Sequence, residues 1–160
     1  MKSKILFAVV LVLVTFIGLS AVAAAKPIIK SDTSYYDADS GLYILKGNVY
    51  IEVNDRIITA GQAKVSMSSL EVWGSGGITL TQGNIYLTAD SVHVYGGQNR
   101  AYIDGNVNFK QGDLAIAADN ADFNWGTKLC VFGGNVRITQ GDRTSSADSV
   151  TYNVETNSLQ

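Results

Sequence analysis

The sequence of 160 residues predicts an all-β protein, an elongated roll of two facing antiparallel sheets assembled from a repeated unit. Three observations predict it. A 29-residue unit recurs without gaps, apolar residues alternate within each unit, and turn residues separate the alternating runs at even spacing. No stretch after residue 25 carries a helical period, and the single proline, Pro27, stands where it would interrupt no ladder.

The units open at Gly47-Asn48-Val49, Gly76-Gly77-Ile78, Gly105-Asn106-Val107 and Gly134-Asn135-Val136. From each opening the apolar positions share one parity: Val49 with Ile51, Ile78 with Leu80, Val107 with Phe109, Val136 with Ile138. Upstream the same parity runs through Tyr43 and Leu45, Ala101 and Ile103, and Cys130 and Phe132. A two-residue turn follows, at Asn54-Asp55, Gly83-Asn84, Gly112-Asp113 and Gly141-Asp142. Such short turns join antiparallel neighbours, because a parallel crossover needs a longer connection. The pattern then resumes with Ile58, Leu87 and Ile116.

Next comes a corner, Ala89-Asp90-Ser91, Ala118-Asp119-Asn120 or Ala147-Asp148-Ser149, with Ala60-Gly61-Gln62 as its weaker form. Beyond it the parity slips by one, to Val92 and Val94, Ala121 and Phe123, and Val150 and Tyr152. A slip of one turns every later side chain to the other face unless the strand bulges or bends. The corner therefore reads as the place where a strand passes from one sheet to the other, with Asp and Ser or Asn bonding nearby amides. Ser31-Asp32-Thr33 holds the same place one period earlier, so a partial unit precedes the first full one. A parallel β-helix with one coil per unit is the alternative that periodicity alone leaves open.

The first 25 residues read differently. Lys2 and Lys4 precede an apolar run from Ile5 to Leu19, and Ala21 to Ala25 supplies small residues before Lys26. That is the layout of a secretory signal peptide cut after Ala25, leaving a single domain over residues 26–160. A retained membrane anchor is the alternative, since Ile5 to Ala25 is long enough to span a bilayer. Removing the leader takes the formal charge from −2 to −4, which disfavours nucleic acid and anionic membrane surfaces as partners. The mean hydropathy of +0.12 owes much to this segment. One cysteine, Cys130, excludes an intrachain disulfide, so an exported chain must rely on burial and backbone pairing.

Little in the sequence suggests catalysis, a metal or a cofactor. His93 is the only histidine, and its neighbours Val92 and Val94 place it on the outer face. Cys130 alternates with Phe132 and reads as a small buried residue. Asp90, Asp119 and Asp148 recur only once per unit, too sparsely for a calcium repeat, and read as corner residues. Tyr50, Trp73 and Tyr102 fall on the parity opposite the core.

The runs "LKGNVYIEVNDRIITAGQAKV", "DGNVNFKQGDLAIAADNADF" and "GGNVRITQGDRTSSADSVTY" resemble the OstA-like repeat of lipopolysaccharide transport proteins, the LptA family. The resemblance covers about Ser31 to Gln160, with Gly77 in place of the usual Asn and Gly61-Gln62 in place of Asp-Ser. It implies a β-jelly roll that carries lipopolysaccharide through the periplasm, acyl chains inside and sugars in water. It also implies rolls stacked through edge strands, with LptC-like inner-membrane and LptD-like outer-membrane partners or as a head-to-tail homo-oligomer. On that reading the lipid-binding face is Val49, Ile51, Ile78, Leu80, Val107, Phe109, Val136 and Ile138, backed by Ile58, Leu87, Ile116, Phe123 and Phe132. An alternating apolar stripe is also what any β core needs. An anchored LptC-like subunit and a structural β-solenoid filament are the other readings. N-terminal sequencing of the exported protein is expected to begin at Lys26; an intact Met1 would favour the anchored subunit.

Overall fold

The computed structural model describes residues 28–53 and 55–160, Val53 by its backbone only. The expected leader, its cleavage point and Pro27 lie outside these residues. Eleven strands run β1 Ile28–Lys30, β2 Thr33–Asp37, β3 Leu42–Val53, β4 Arg56–Ser66, β5 Glu71–Gln82, β6 Ile85–Tyr95, β7 Arg100–Gln111, β8 Leu114–Asn124, β9 Leu129–Gln140, β10 Arg143–Asn153 and β11 Ser158–Leu159. From β3 to β11 each strand pairs with the next, and β1 and β2 lie side by side along β3. Every pairing is antiparallel, so the roll forms and the parallel β-helix does not.

Each long strand bends in its middle. Gly47 and Asn48 stand against Gly61 alone, Gly105 and Asn106 against Asp119, and Gly134 and Asn135 against Asp148. Two residues facing one is a β-bulge, and it restores to the inside the parity that the sequence loses. Both halves of every strand therefore point their apolar residues inward. Leu45, Val65 and Val72 from one half share a buried cluster with Val49 and Ile51 from the other. The two facing sheets expected from the sequence are thus the two halves of one continuous, bent ladder.

The bulge has its own chemistry. Gly47, Gly105 and Gly134 take φ of 74°, 81° and 74°, and Asn48, Asn106 and Asn135 follow at 47° to 48°. Two successive left-handed residues suit glycine and then asparagine, the pair least penalised there. The asparagine then donates through Nδ2 to an aspartate sixteen residues earlier: Asn48 to Asp32 at 3.0 Å, Asn106 to Asp90 at 2.8 Å, Asn135 to Asp119 at 2.7 Å. Asp32, Asp90 and Asp119 are thereby each locked to the next unit's Gly-Asn. The two departures in the sequence, Gly61 and Gly77, stand at one such pair of positions. Where aspartate is absent its asparagine partner is absent too, and two glycine backbones approach instead. A Cβ on Gly61 would meet the Gly76 carbonyl oxygen at 2.9 Å.

Two rows of turns flank the bent sheet. The two-residue turns place Gly83, Gly112 and Gly141 at φ of 55° to 61°, which fits type II′ hairpins. The longer turns end at Gly41, Leu70, Asn99, Lys128 and Asn157, again 29 apart and all left-handed. Neighbouring turns of this second row hydrogen-bond along the roll, Gly96 N to Leu70 O, Trp125 N to Asn99 O and Val154 N to Lys128 O.

At the C-terminal edge, β11 covers only Tyr152 and Asn153 of β10, while Thr151 exchanges backbone bonds with Gln160. Residues 143–149 are exposed throughout. The open edge is therefore the first part of β10, because β11 folds back over only its last residues.

Asp119→Ala and Asn135→Ala are each expected to lower unfolding stability by about 1 kcal/mol. The double variant should lose less than the sum, as measured by denaturant melts. Gly134→Ala should cost more than either, since the left-handed backbone alone adds about 1–2 kcal/mol and the new Cβ would press on the Asp119 carboxylate.

Candidate functional site

Between the two halves lies a cavity of about 460 Å³, with walls that are mostly apolar. Its inner surface comes from β3 to β7, with Phe123 of β8 and Cys130 of β9. Its rim includes Asp55 and Gly83 from one row of turns and Lys128 and Glu155 from the other. The cavity thus reaches solvent between the rows.

The structure divides the thirteen residues expected to face lipid. Val49, Ile51, Ile58, Ile78, Leu80, Leu87, Phe109 and Phe123 line the cavity. Val107, Ile116, Phe132 and Val136 are buried in a second, solid cluster, with Ile138 packed against it. Phe109 joins the two regions, its ring 5.6 Å from that of Phe132 and 5.3 Å from that of Tyr152.

One repeat position differs sharply between the two regions. Leu45, Gly74, Ile103 and Phe132 occupy the same inward place in successive units. Gly74 lines the cavity and supplies no side chain, while Phe132 is fully buried and fills its surroundings. Ala60 and Ala63 on the neighbouring strand keep the space open. Reading parity alone misses these small residues, since it finds the inward face and not the volume on it. Comparing position 74 with 132 would have shown the difference.

Side chains beside the cavity hold the two buried clusters. Trp125, from the turn after β8, is 4 % exposed and belongs to the cluster of Leu45, Val49, Ile51 and Val65 from β3 and β4. In the other cluster the Tyr152 hydroxyl donates to Gln111 Oε1 at 2.7 Å, and Gln111 Nε2 donates to Asn157 Oδ1 at 2.8 Å. That network ties one row of turns to the other. Burial raises the Tyr152 pKa, which keeps the hydroxyl a donor.

Outside, His93 stands where its parity places it. Its Nε2 lies 2.6 Å from Glu71 Oε2, and its ring stacks between Trp73 at 4.8 Å and Tyr95 at 3.9 Å. Tyr102 is exposed and Tyr50 donates its hydroxyl to Glu52 at 2.8 Å. Asp90 and Asp119 are held by the bulge asparagines, as corner residues. Cys130 is buried and its thiol pKa is pushed up to about 12, chiefly by desolvation and then by Asp122. It is expected to resist iodoacetamide at pH 8 in the folded protein and to react once unfolded, as read by mass spectrometry; fast native labelling would show that the interior opens readily.

Among the described residues, no helix is long and apolar enough to cross a membrane. No curated protein matches the chain. Among solved structures it is similar to LptH of Pseudomonas aeruginosa, described as the LptA-homologous periplasmic component of the conserved lipopolysaccharide transport device. The TM-score is 0.60 at 12% identity, over 76% of this chain and 94% of that one, a likeness of fold. The model of the OstA-like proteins matches residues 46–158, which span every full repeat and most of the strands that build the cavity. With its bulged repeat, its bent antiparallel ladder and this match over most of its length, the chain belongs to the OstA-like protein family.

Proposed function

We propose that this protein is a periplasmic carrier of lipopolysaccharide, holding acyl chains in the cavity while the sugars remain in water, and that it performs no catalysis. The observation that carries the reading is the cavity itself, apolar within and open between two rows of turns. Its volume falls within the roughly 300–1,000 Å³ of small-molecule sites. An exposed acyl chain costs about 0.8 kcal/mol per methylene, so a lipid crossing water needs such a shelter. Family membership and the likeness to LptH support the same reading.

One cavity of this size does not enclose a lipid with several acyl chains, which favours stacking of rolls into a longer groove. The exposed start of β10 offers unpaired backbone groups for strand addition. A second copy, or LptC-like and LptD-like partners on the two membranes, would extend the ladder there and along β1 and β2. The leader ahead of residue 26 then serves export, and the residues from 26 onward act as one domain.

Photo-crosslinkers tell these statements apart. Placed at Ile78 or Leu80 they are expected to trap lipopolysaccharide, and at Ile116, inside the solid cluster, or His93, on the outer face, they are not. Lack of adduct at every cavity position would sink the carrier reading. A crosslinker at Ser146 of β10 is expected to trap a protein partner, not lipid.

A further inference from the structure

Arg56 is a buried cation at a place that holds Ile85 and Leu114 in the next two units and an exposed Arg143 in the fourth. It shares the inward parity of Ile58 at the start of β4. Its side chain is only 4 % exposed, among the least exposed polar groups of the protein. Burying a guanidinium is costly unless its charge and its donors are matched.

The matching is incomplete. Nε and Nη2 both donate to a single acceptor, Gln82 Oε1, at 3.2 and 3.1 Å. A guanidinium has five N–H donors in a planar fork, so most of its capacity is left over. Among the described residues only His93 with Glu71 and Arg100 with Asp122 form ion pairs, so Arg56 has no carboxylate in contact. Desolvation lowers its pKa, and neighbouring Asp55 opposes that from a distance.

The location gives the unused donors a meaning. Gln82 lines the cavity, as does Asp55, and on the strand beside Gln82 the wall continues through Ile85 and Leu87 into the apolar interior. A cation therefore sits one hydrogen bond from the cavity wall, at its rim, with aliphatic surface beyond. Lys128 stands on the rim too, but so do Asp55 and Glu155, so the rim has no net positive field. Recognition there would come from the fork geometry of Arg56, which matches the oxygens of a phosphate.

We propose that Arg56, oriented by Gln82, binds the phosphate-type anionic headgroup of a lipid whose tail occupies the cavity. This rests on the carrier reading above and names the headgroup chemistry that the same site selects. Gln82 is a positioning residue, since its Oε1 holds Nε and Nη2 from the cavity wall and leaves the remaining N–H donors to the ligand.

Displacement of the neutral fluorophore N-phenyl-1-naphthylamine from the purified protein tests it. Dodecyl phosphate and 1-dodecanol offer one tail with and without the anion, and inorganic phosphate offers the anion without the tail. The wild type is expected to bind dodecyl phosphate roughly tenfold more tightly than dodecanol. Arg56→Gln and Arg56→Met should abolish that preference and leave dodecanol binding as it was. Met keeps the length without the charge, so it carries the test if the Gln variant does not fold, with thermal melts as the check. Equal binding of the two amphiphiles by the wild type overturns the proposal and leaves the cavity reading intact, as does a preference that survives in the variants. If neither amphiphile displaces the fluorophore, the cavity reading fails and the proposal with it. If inorganic phosphate competes with dodecyl phosphate at equal concentration, Arg56 serves free phosphate and the lipid headgroup is ruled out.

Discussion

The constraint on which the roll depends is the bulge that sets a corner residue against the next unit's Gly-Asn pair, held at three junctions by a bond from asparagine to the aspartate sixteen residues earlier. A flat antiparallel ladder of these strands would bury one face and leave the other half of each strand with its apolar residues outside. Parity slips at the corner of one strand, the facing Gly-Asn strand takes up the extra residue as a bulge, and the aspartate holds that bulge in its left-handed geometry. Because the aspartate belongs to one unit and the asparagine to the next, each bond also registers neighbouring strands. The bend is therefore a property of the stack, which explains why a single unit cannot make an interior.

The junction between the first and second full units shows how tolerant this arrangement is. Gly61 and Gly77 delete both partners of one bond, and the Gly61 and Gly76 backbones approach without a side chain between them. The bend survives because the flanking units hold theirs. It survives in the part of the roll that is hollow, beside Gly74, Ala60 and Ala63. Removing side chains from the corner and from the inner wall in the same unit leaves a shell where the later units make a solid core around Phe132, Ile116 and Tyr152.

Hollow and solid regions divide the work between them. The C-terminal cluster, with its aromatic contacts and the Tyr152–Gln111–Asn157 network, supplies a rigid base that keeps the two rows of turns together. The cavity next to it contributes less packing and leaves space between the two halves. Arg56 lies behind its wall, hydrogen-bonded to Gln82, where burial makes an incompletely matched guanidinium costly.

From residues alone the sequence determined the strand class, the repeat boundaries, the hairpin turns and the inward face. These follow from periods of two and 29 and from glycine and asparagine at left-handed positions, all local properties of the chain. It also placed His93 outside and Cys130 inside, because alternation assigns a face to each. What the tertiary structure alone decided is where the interior is empty. Val49 and Val107 obey the same parity, yet one lines a cavity and the other lies in a packed core. The difference lies in residues that no period distinguishes, Gly74 on the cavity wall and Phe132 in the packed core. The free edge was decided in the same way, since β11 folds back on β10 through contacts that no period encodes. Pattern specifies which side chains point inward; only packing in three dimensions specifies how much space they leave.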